Sequence, residues 1–449
     1  MVTLVYPYFQ PSNDNSIFRF PPLGLGYIVA YLRKHGISAE LVDCTFMKQE
    51  EALEKIRRTN PRVIGIQAMF SMKDKTLEFA KLLRNDCELL VAGGPLATSN
   101  PEDFIQFFDV VAIGEGEQTM LEIVQAFEDK SGFRGVKGIT FRQKGKVIVT
   151  SSRGFIEDLD AIPFPAREQF NNGQYMSHYS GNFGYTTTAI ITSRGCPFQC
   201  DFCSRPIFGN SFRSRSPGNI AQEVEEVREL GYERVWFADD CFTLDRMRLM
   251  DICEELIRRK VGIGWECLSR VDTVDFDIAC KMKEAGCVRV FFGIESGNDS
   301  VLKIMKKHAT VEEARRAVDI FKRAGIQVGA FFIIGYPGES EQTVLDTVNF
   351  ASSLPLDYLS FTFPYPIPGT PLFDRVKATM TSGEWQEPKF SLIKHRLLFD
   401  SPFSESKLRF ALLKGMSQFY IRKYLGYGVL KRFGELYIAL TDRLYRMLK

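Results

Sequence analysis

The chain has 449 residues, of which 45% are hydrophobic and 25% charged, and a net charge of +2. These values describe a globular protein of two or three domains with ample core and give no reason to expect a nucleic acid or other polyanion as partner. Ten cysteines in so long a chain are not a disulfide scaffold, no run of about 18 apolar residues suggests a membrane span, and Met1-Val2-Thr3-Leu4-Val5-Tyr6-Pro7 lacks the basic region and cleavage site of a signal peptide, so the expected location is cytoplasmic.

Residues 1–130 alternate short apolar runs with amphipathic stretches. Strands are expected at 3–6, 39–42, 63–66, 89–92 and 110–113, with helices at 23–34, 50–58, 73–83, 102–107 and 119–127. This alternation implies a parallel sheet with right-handed crossovers, an α/β Rossmann-like domain whose ligand binds beyond the carboxyl ends of its strands. The loops expected at those ends are Gln67-Ala68-Met69-Phe70-Ser71, Gly93-Gly94-Pro95-Leu96-Ala97-Thr98 and Gly114-Glu115-Gly116-Glu117. Their glycines let the backbone approach a large ligand closely. None forms a GxGxxG motif, so a dinucleotide is disfavoured.

Residues 131–182 read as a linker. A hairpin is expected around Gln143-Lys144-Gly145, followed by a connector broken by Pro163 and Pro165. Over 183–372 alternation resumes, with strands expected at 187–192, 234–237, 264–267, 288–292, 328–334 and 358–363. Helices are expected at 220–229, 246–259, 275–285, 311–324 and 341–353. Six such units in series fit a partial (β/α)6 barrel with its active site at the carboxyl ends of the strands. Residues 373–449 read as a C-terminal helical region. From residue 401 onward it carries ten Lys/Arg against three Asp/Glu, and 428–449 fits an amphipathic basic helix, either a cap with a solvated face or a membrane-surface contact.

The chemistry is concentrated after the first barrel strand, in Ser193-Arg194-Gly195-Cys196-Pro197-Phe198-Gln199-Cys200-Asp201-Phe202-Cys203. Cys196, Cys200 and Cys203 put three thiolates on one short loop, a donor set suited to an iron–sulfur cluster or zinc. Structural zinc usually has paired Cys-x2-Cys arms and a fourth ligand, and no second arm follows. The other seven cysteines are scattered and are expected to be buried apolar thiols. The Cys-x3-Cys-x2-Cys spacing, with the aromatic Phe202 before the last cysteine, closely resembles that of radical SAM enzymes. That resemblance implies a [4Fe–4S] cluster held by the three cysteines, with an iron left open for S-adenosylmethionine (SAM).

Further segments resemble the same family in order along the barrel. Asp239 and Asp240 follow the second strand, Arg270 the third, Glu295 and Ser296 end the fourth, and Gly335 and Pro337 follow the fifth. With Phe202, these are the residues the resemblance implies for SAM. The ligand-end loops of residues 1–130, with Pro21-Pro22-Leu23-Gly24 and Asp43, resemble the cobalamin-binding domain of cobalamin-dependent radical SAM enzymes. The implied contacts are Gln67, Met69, Ser71, Gly93, Gly94, Pro95, Thr98, Gly114, Glu115, Gly116 and Glu117. None of the four histidines lies in an Asp-x-His-x-x-Gly pattern, so cobalt is expected to lack a protein histidine, with the 67–71 loop at its face remote from substrate. The family implies a methyltransferase that acts on an unactivated carbon through methylcobalamin and a deoxyadenosyl radical. A cyclase-like radical enzyme and a cobalamin or redox sensor are the competing readings. A reductant protein such as flavodoxin or ferredoxin is the implied partner, and the acceptor, a peptide or protein side chain or a small metabolite, is unnamed.

Overall fold

The computed structural model describes residues 1–11, 16–205, 207–380, 397–425 and 431–448. The first sheet is built from β1 (Val2–Tyr6), β2 (Ala39–Asp43), β3 (Val63–Gln67), β4 (Leu89–Gly93), β5 (Val110–Ala112), β6 (Ile139–Gln143) and β7 (Lys146–Val149). Its order is β2-β1-β3-β4-β5-β6-β7, parallel through β5 and antiparallel thereafter. All five parallel strands are almost wholly buried, as strands covered by helices on both faces must be. The chain order reverses between β1 and β3, so the crevice for a ligand opens at their carboxyl ends. The hairpin expected in the linker does form, and it pairs onto β5 as an extension of this sheet.

The chain then enters a second sheet: β8 (Thr187–Ile190), the short pair β9 (Ser193–Arg194) and β10 (Arg213–Ser214), and then β11 (Arg234–Phe237), β12 (Gly264–Ser269), β13 (Cys287–Glu295), β14 (Gln327–Ile333) and β15 (Tyr358–Thr362). Apart from β9 and β10, which pair antiparallel with each other, these strands are parallel in the order β15-β14-β13-β12-β11-β8, the six-unit open barrel expected. Its helices begin where polar caps dictate. Ser216 with Pro217 starts Pro217–Glu229, Asp245 starts Arg246–Arg258, and a Thr310–Glu313 capping box starts Val311–Arg323.

Five local expectations are corrected. Residues 95–98 form a helix, Pro95–Ser99, and 102–107 shortens to Pro101–Phe104, each with proline at its first position. The strand expected over 187–192 stops at Ile190, because Thr192 and Ser193 are drawn sideways into hydrogen bonds with Asp239. Helix Asn172–Phe183 had no counterpart in the expectation; its residues are poor helix formers, and burial of Tyr175 and Tyr179 holds it in place. Of the seven scattered thiols, Cys44, Cys241, Cys253, Cys267 and Cys287 are buried, whereas Cys87 is half-buried and Cys280 exposed.

The two sheets share a core. Phe18 and Phe20, from the loop after β1, enter the open barrel. Phe18 sits 5.3 Å from the Trp236 ring, 5.6 Å from Phe291 and 5.9 Å from Phe331, and Phe20 stacks on Trp236. One continuous apolar cluster therefore runs from β1 to β13. On the far side, helix Glu405–Leu425 packs on helix Glu341–Ser353, and the fully buried Lys414 ammonium bonds Asp442 at 2.7 Å. The basic helix expected at 428–449 runs over Lys431–Met447, and residues 428–430 lie outside the described residues. It buries Thr441 and Tyr445 against the body and leaves Leu436, Leu440, Leu444 and Met447 exposed. Among the described residues, no helix is long and apolar enough to cross a membrane.

Gly297, after β13, lies so close to helix Glu341–Ser353 that a Cβ there would stand 2.8 Å from the Asp346 carbonyl oxygen and the Thr347 Cα. Those are backbone atoms that cannot turn aside. Gly297→Ala should therefore cost about 1–3 kcal/mol, read as a lowered thermal midpoint, and an unchanged midpoint would show that the loop yields freely.

Candidate functional site

The cysteine loop is fixed at its base before any cofactor is considered. Asp239, just beyond β11, is fully buried, and its carboxylate accepts from the Thr192 and Ser193 backbone N–H groups at 2.6 and 3.1 Å and from their hydroxyls at 2.5 and 2.6 Å. Asp239 is fully engaged in these bonds and does not line the cavity, unlike its expected place beside SAM, so here it acts as a positioning residue. Its neighbour Asp240 lines the cavity instead; burial and the nearby Asp239 raise its carboxyl above the ordinary range. The loop's neck is the β9–β10 pair. Gly195 there has φ +84, and a Cβ would lie 2.2 Å from the Ser211 carbonyl oxygen, so the turn into Cys196 requires glycine. Asp201, between Cys200 and Phe202, anchors the other end: the Tyr336 hydroxyl donates to it at 2.7 Å and Arg375 at 2.5 Å.

All three cysteines line one cavity of about 480 Å³ at the carboxyl end of the barrel. Cys200 is buried, Cys196 half-buried and Cys203 exposed. Among the described residues, no three His, Cys, Asp or Glu side chains converge as ligands of one ion. A single zinc needs such convergence, whereas three ligands of a four-iron cluster each take a separate iron. The thiolate set on one loop, flanked by open cavity, therefore fits a cluster.

Charged groups of both signs sit beside the loop. Arg270 lies 3.8 Å from the Cys200 sulfur, donates to the Lys307 carbonyl at 2.6 Å, pairs with Asp272, and lies 3.6 Å above the Phe198 ring. Burial alone would lower its pKa, but Asp272 holds it above the ordinary value. Glu295 pairs with Lys307 at 3.1 Å, both largely buried. Glu295 adopts φ +71, and Gly293 makes room for the pair, since a Cβ there would meet the Glu295 carboxylate at 2.5 Å. Phe202, Arg270 and Glu295 thus line the cavity with Asp240. Ser296 does not: it is fully buried, with its hydroxyl on Thr347. Gly335 and Pro337 shape the loop after β14 without lining the cavity, and Glu339 ties that loop down by accepting from the Gly335 and Tyr336 N–H groups at 2.7 and 2.8 Å.

Sequence reasoning missed Lys307, Phe18, Phe20, Trp236 and Phe331, all cavity-lining. Lys307 sits in Lys306-Lys307-His308, which reads as a solvated helix end. The aromatics belong to strands and a loop whose pattern says only that they are apolar. No local signal distinguishes them from core.

A second cavity, of about 230 Å³, opens at the carboxyl ends of the first sheet. Gln67, Gly93, Gly94, Pro95, Gly114 and Gly116 line it, closed on one side by Ile207 and Phe208 of the cysteine loop. Gly94 has φ +102, and a Cβ there would come within 2.9 Å of the Ala68 carbonyl oxygen; at Gly116 it would meet Ile28 at 2.6 Å. The buried Gln67 side-chain oxygen has no hydrogen-bond partner, an acceptor without a donor in a place where such groups are rare. An apolar slot with glycine walls and an orphaned acceptor fits part of a large planar cofactor such as cobalamin. Met69, Ser71, Thr98, Glu115 and Glu117 are not in its lining. Thr98 joins two of the loops by accepting from Gly114 N–H at 3.1 Å, and the carboxylates of Glu115 and Glu117, expected beside the ligand, are turned to Arg194 and Arg213.

Two family descriptions match the sequence, the radical SAM superfamily over residues 190–351 and the B12 binding domain over residues 14–124. An uncharacterized methyltransferase of Pyrococcus horikoshii is 32% identical over 430 residues, covering 92% of this chain and 91% of the relative. The anaerobic magnesium-protoporphyrin IX monomethyl ester cyclase of Cereibacter sphaeroides is 26% identical over 94% of this chain and 71% of its own. The solved radical SAM methyltransferase TsrM from Kitasatospora setae, with cobalamin and a [4Fe–4S] cluster bound, has the same fold, with a TM-score of 0.74 at 17% identity over 99% of each chain.

Glu339 gives the site a pH signature. Burial outweighs its two backbone donors and lifts the carboxyl to about 7, against about 4.3 in an unfolded chain. The folded state therefore binds the proton more tightly, and this group's contribution to stability, full below about pH 4.3, is lost as the pH rises through about 7. In Glu339→Gln the titration is gone. The midpoint difference, variant minus wild type, should rise by roughly 2–4 °C between about pH 5 and pH 8; a flat difference would show that Glu339 does not titrate there.

Proposed function

The chain belongs to the radical SAM methyltransferases that carry a B12-binding domain, and from that premise we propose how its residues divide the work. Its cofactors are a [4Fe–4S] cluster, SAM and cobalamin. When bound, these supply the difficult chemistry, an electron that breaks the C5′–S bond of SAM and a carrier for the methyl group. The protein binds, orients and excludes water.

One observation carries the assignment: a single cavity holds the three cysteines, a set of opposite charges and an aromatic wall. Cys196, Cys200 and Cys203 hold the cluster. Beside them, Lys307 and Arg270 are cations and Asp240 and Glu295 anions, the complement of the carboxylate and ammonium on the methionyl end of SAM. Phe202, which lines the same cavity, would flank the cluster. Gln67, Gly93, Gly94, Pro95, Gly114 and Gly116 would cradle cobalamin; among the described residues that line this cavity there is no histidine.

The acceptor takes the other end of the cavity. Phe18, Phe20, Trp236 and Phe331 form that wall, and it offers no charge. The portion of the acceptor that reacts is therefore apolar, and an unactivated carbon is the methyl acceptor. The family needs a reductant, and a flavodoxin or ferredoxin fits; the exposed Cys203 is the edge at which such a protein supplies electrons. The outward stripe of Leu436, Leu440, Leu444 and Met447, beside the exposed Arg443, is the surface that a membrane contact of the last helix would use.

Anaerobic protein should hold about four irons per chain, and joint replacement of Cys196, Cys200 and Cys203 by alanine should remove both the iron and reductive SAM cleavage. A triple variant that kept both would overturn the cluster assignment. On its acceptor, the enzyme should yield S-adenosylhomocysteine and deoxyadenosine in comparable amounts, with label from the SAM methyl in the product. Deoxyadenosine without S-adenosylhomocysteine would instead favour a cyclase-type reaction, the activity named for the Cereibacter sphaeroides relative. Lys307→Met removes a charged hydrogen-bond donor worth about 1.5–3 kcal/mol, so SAM should bind the cluster-loaded variant roughly 10- to 150-fold more weakly. Unchanged SAM affinity would confine Lys307 to its pairing with Glu295.

A further inference from the structure

The loop that carries the cluster ligands and the loop that lines the cobalamin cavity are joined by buried charge. Arg194 and Arg213 stand directly opposite one another in the β9–β10 pair. Two like charges in that position repel, and here they do so without water, each side chain being less than 5% exposed. What makes the pairing tolerable lies on the other domain. Glu115 accepts from Arg194 at 2.8 Å and from Arg213 at 3.0 and 3.1 Å, and Glu117 accepts from Arg194 at 2.5 Å. The neck of the cysteine loop is thus electrostatically incomplete without the Gly114-Glu115-Gly116-Glu117 turn.

That turn alternates two tasks. Gly114 and Gly116 face the 230 Å³ cavity while Glu115 and Glu117 hold the arginines. Phe208 lines the same cavity, and the Arg194 guanidinium lies 5.0 Å from its ring centre. Arg194 therefore contacts two lining segments, the glycine turn through its carboxylates and Phe208 through its ring face. It also stands two residues before Cys196, whose backbone N–H donates to Gly209, next to Phe208.

We propose that Arg194 is a positioning residue that couples the two cofactor sites: a ligand filling the first-domain cavity presses on Phe208 and the glycine turn, and Arg194 passes that ordering to the loop holding the cluster. Cobalamin then slows loss of the cluster, and by reciprocity the cluster tightens cobalamin. The proposal rests on the reading of this cavity as a cobalamin site.

The test uses full-length, cluster-reconstituted protein under anaerobic conditions. Iron release to a chelator is timed with and without hydroxocobalamin, and hydroxocobalamin affinity is measured with and without the cluster. In the wild type, cobalamin should slow iron release at least about fivefold, the lower end of ordinary couplings, and the cluster should raise cobalamin affinity by a similar factor. Arg194→Lys, which keeps one charge but loses the fork, should still bind cobalamin while losing most of the protection. Simple shielding of the cluster by cobalamin would survive that change, and protection surviving in Arg194→Lys overturns the proposal. If Arg194→Lys cannot be loaded with cluster, Phe208→Ala decides in its place, since it leaves the ion pairs intact: loss of protection supports the coupling and full protection overturns it. Wild-type protein that binds no hydroxocobalamin would remove the cofactor reading itself. Binding without any change in iron release would remove only the coupling.

Discussion

The rest of the site hangs on the carboxylate of Asp239. Four hydrogen bonds from two adjacent residues converge on it in a fully buried place, where a charged acceptor left unsatisfied would cost several kcal/mol. The bonds end β8 early, turn the chain across the barrel mouth, and so decide where the cysteine loop starts. A loop of small and aromatic residues has little regular structure of its own. Its position is inherited from this anchor at one end and from the Asp201 contacts with Tyr336 and Arg375 at the other.

Between those anchors the site is divided by polarity. Lys307, Glu295, Arg270 and Asp240 supply its charges, and Phe18, Phe20, Trp236 and Phe331, from outside the cysteine loop, supply an apolar wall. A cavity so lined would accept the zwitterionic end of SAM through its charges and apolar matter through its rings, as proposed above. Glu295 pays for its place with a left-handed backbone, a conformation that persists only where the surroundings hold it, here through Lys307.

Much of this was legible in the sequence. Both sheets, their strand order along the chain and the cysteine loop follow from alternation and spacing, because buried parallel strands leave continuous apolar runs and thiolate clusters leave fixed intervals. Position after a strand also put Asp240, Arg270 and Glu295 at the barrel mouth, and all three line the cavity there. What the same rule could not supply was which of two adjacent residues faces inward: Asp239 beside Asp240 and Ser296 beside Glu295 share a motif but point into different surroundings. Nor could it show that Glu115 and Glu117 meet arginines nearly 80 positions later in the chain, since a pairing across a domain boundary leaves no trace in local pattern. Helix Asn172–Phe183 escaped for the complementary reason, its stability coming from Tyr175 and Tyr179 in the core and not from its own propensities.

An open six-stranded barrel has a gap in its wall, and here the aromatic wedge of Phe18 and Phe20 from the other domain fills part of its lumen. If the acceptor sits against that wedge, as proposed, its choice is placed partly in a segment that lies outside the barrel's own strands and helices. Substitutions in that wedge can reshape the chamber while the cysteine loop and the strand-end residues stay as they are, so new acceptors could arise by drift in the first twenty positions. The same arrangement works against exchange of halves between relatives, because a barrel joined to a foreign first domain would receive a wedge cut for a different chamber.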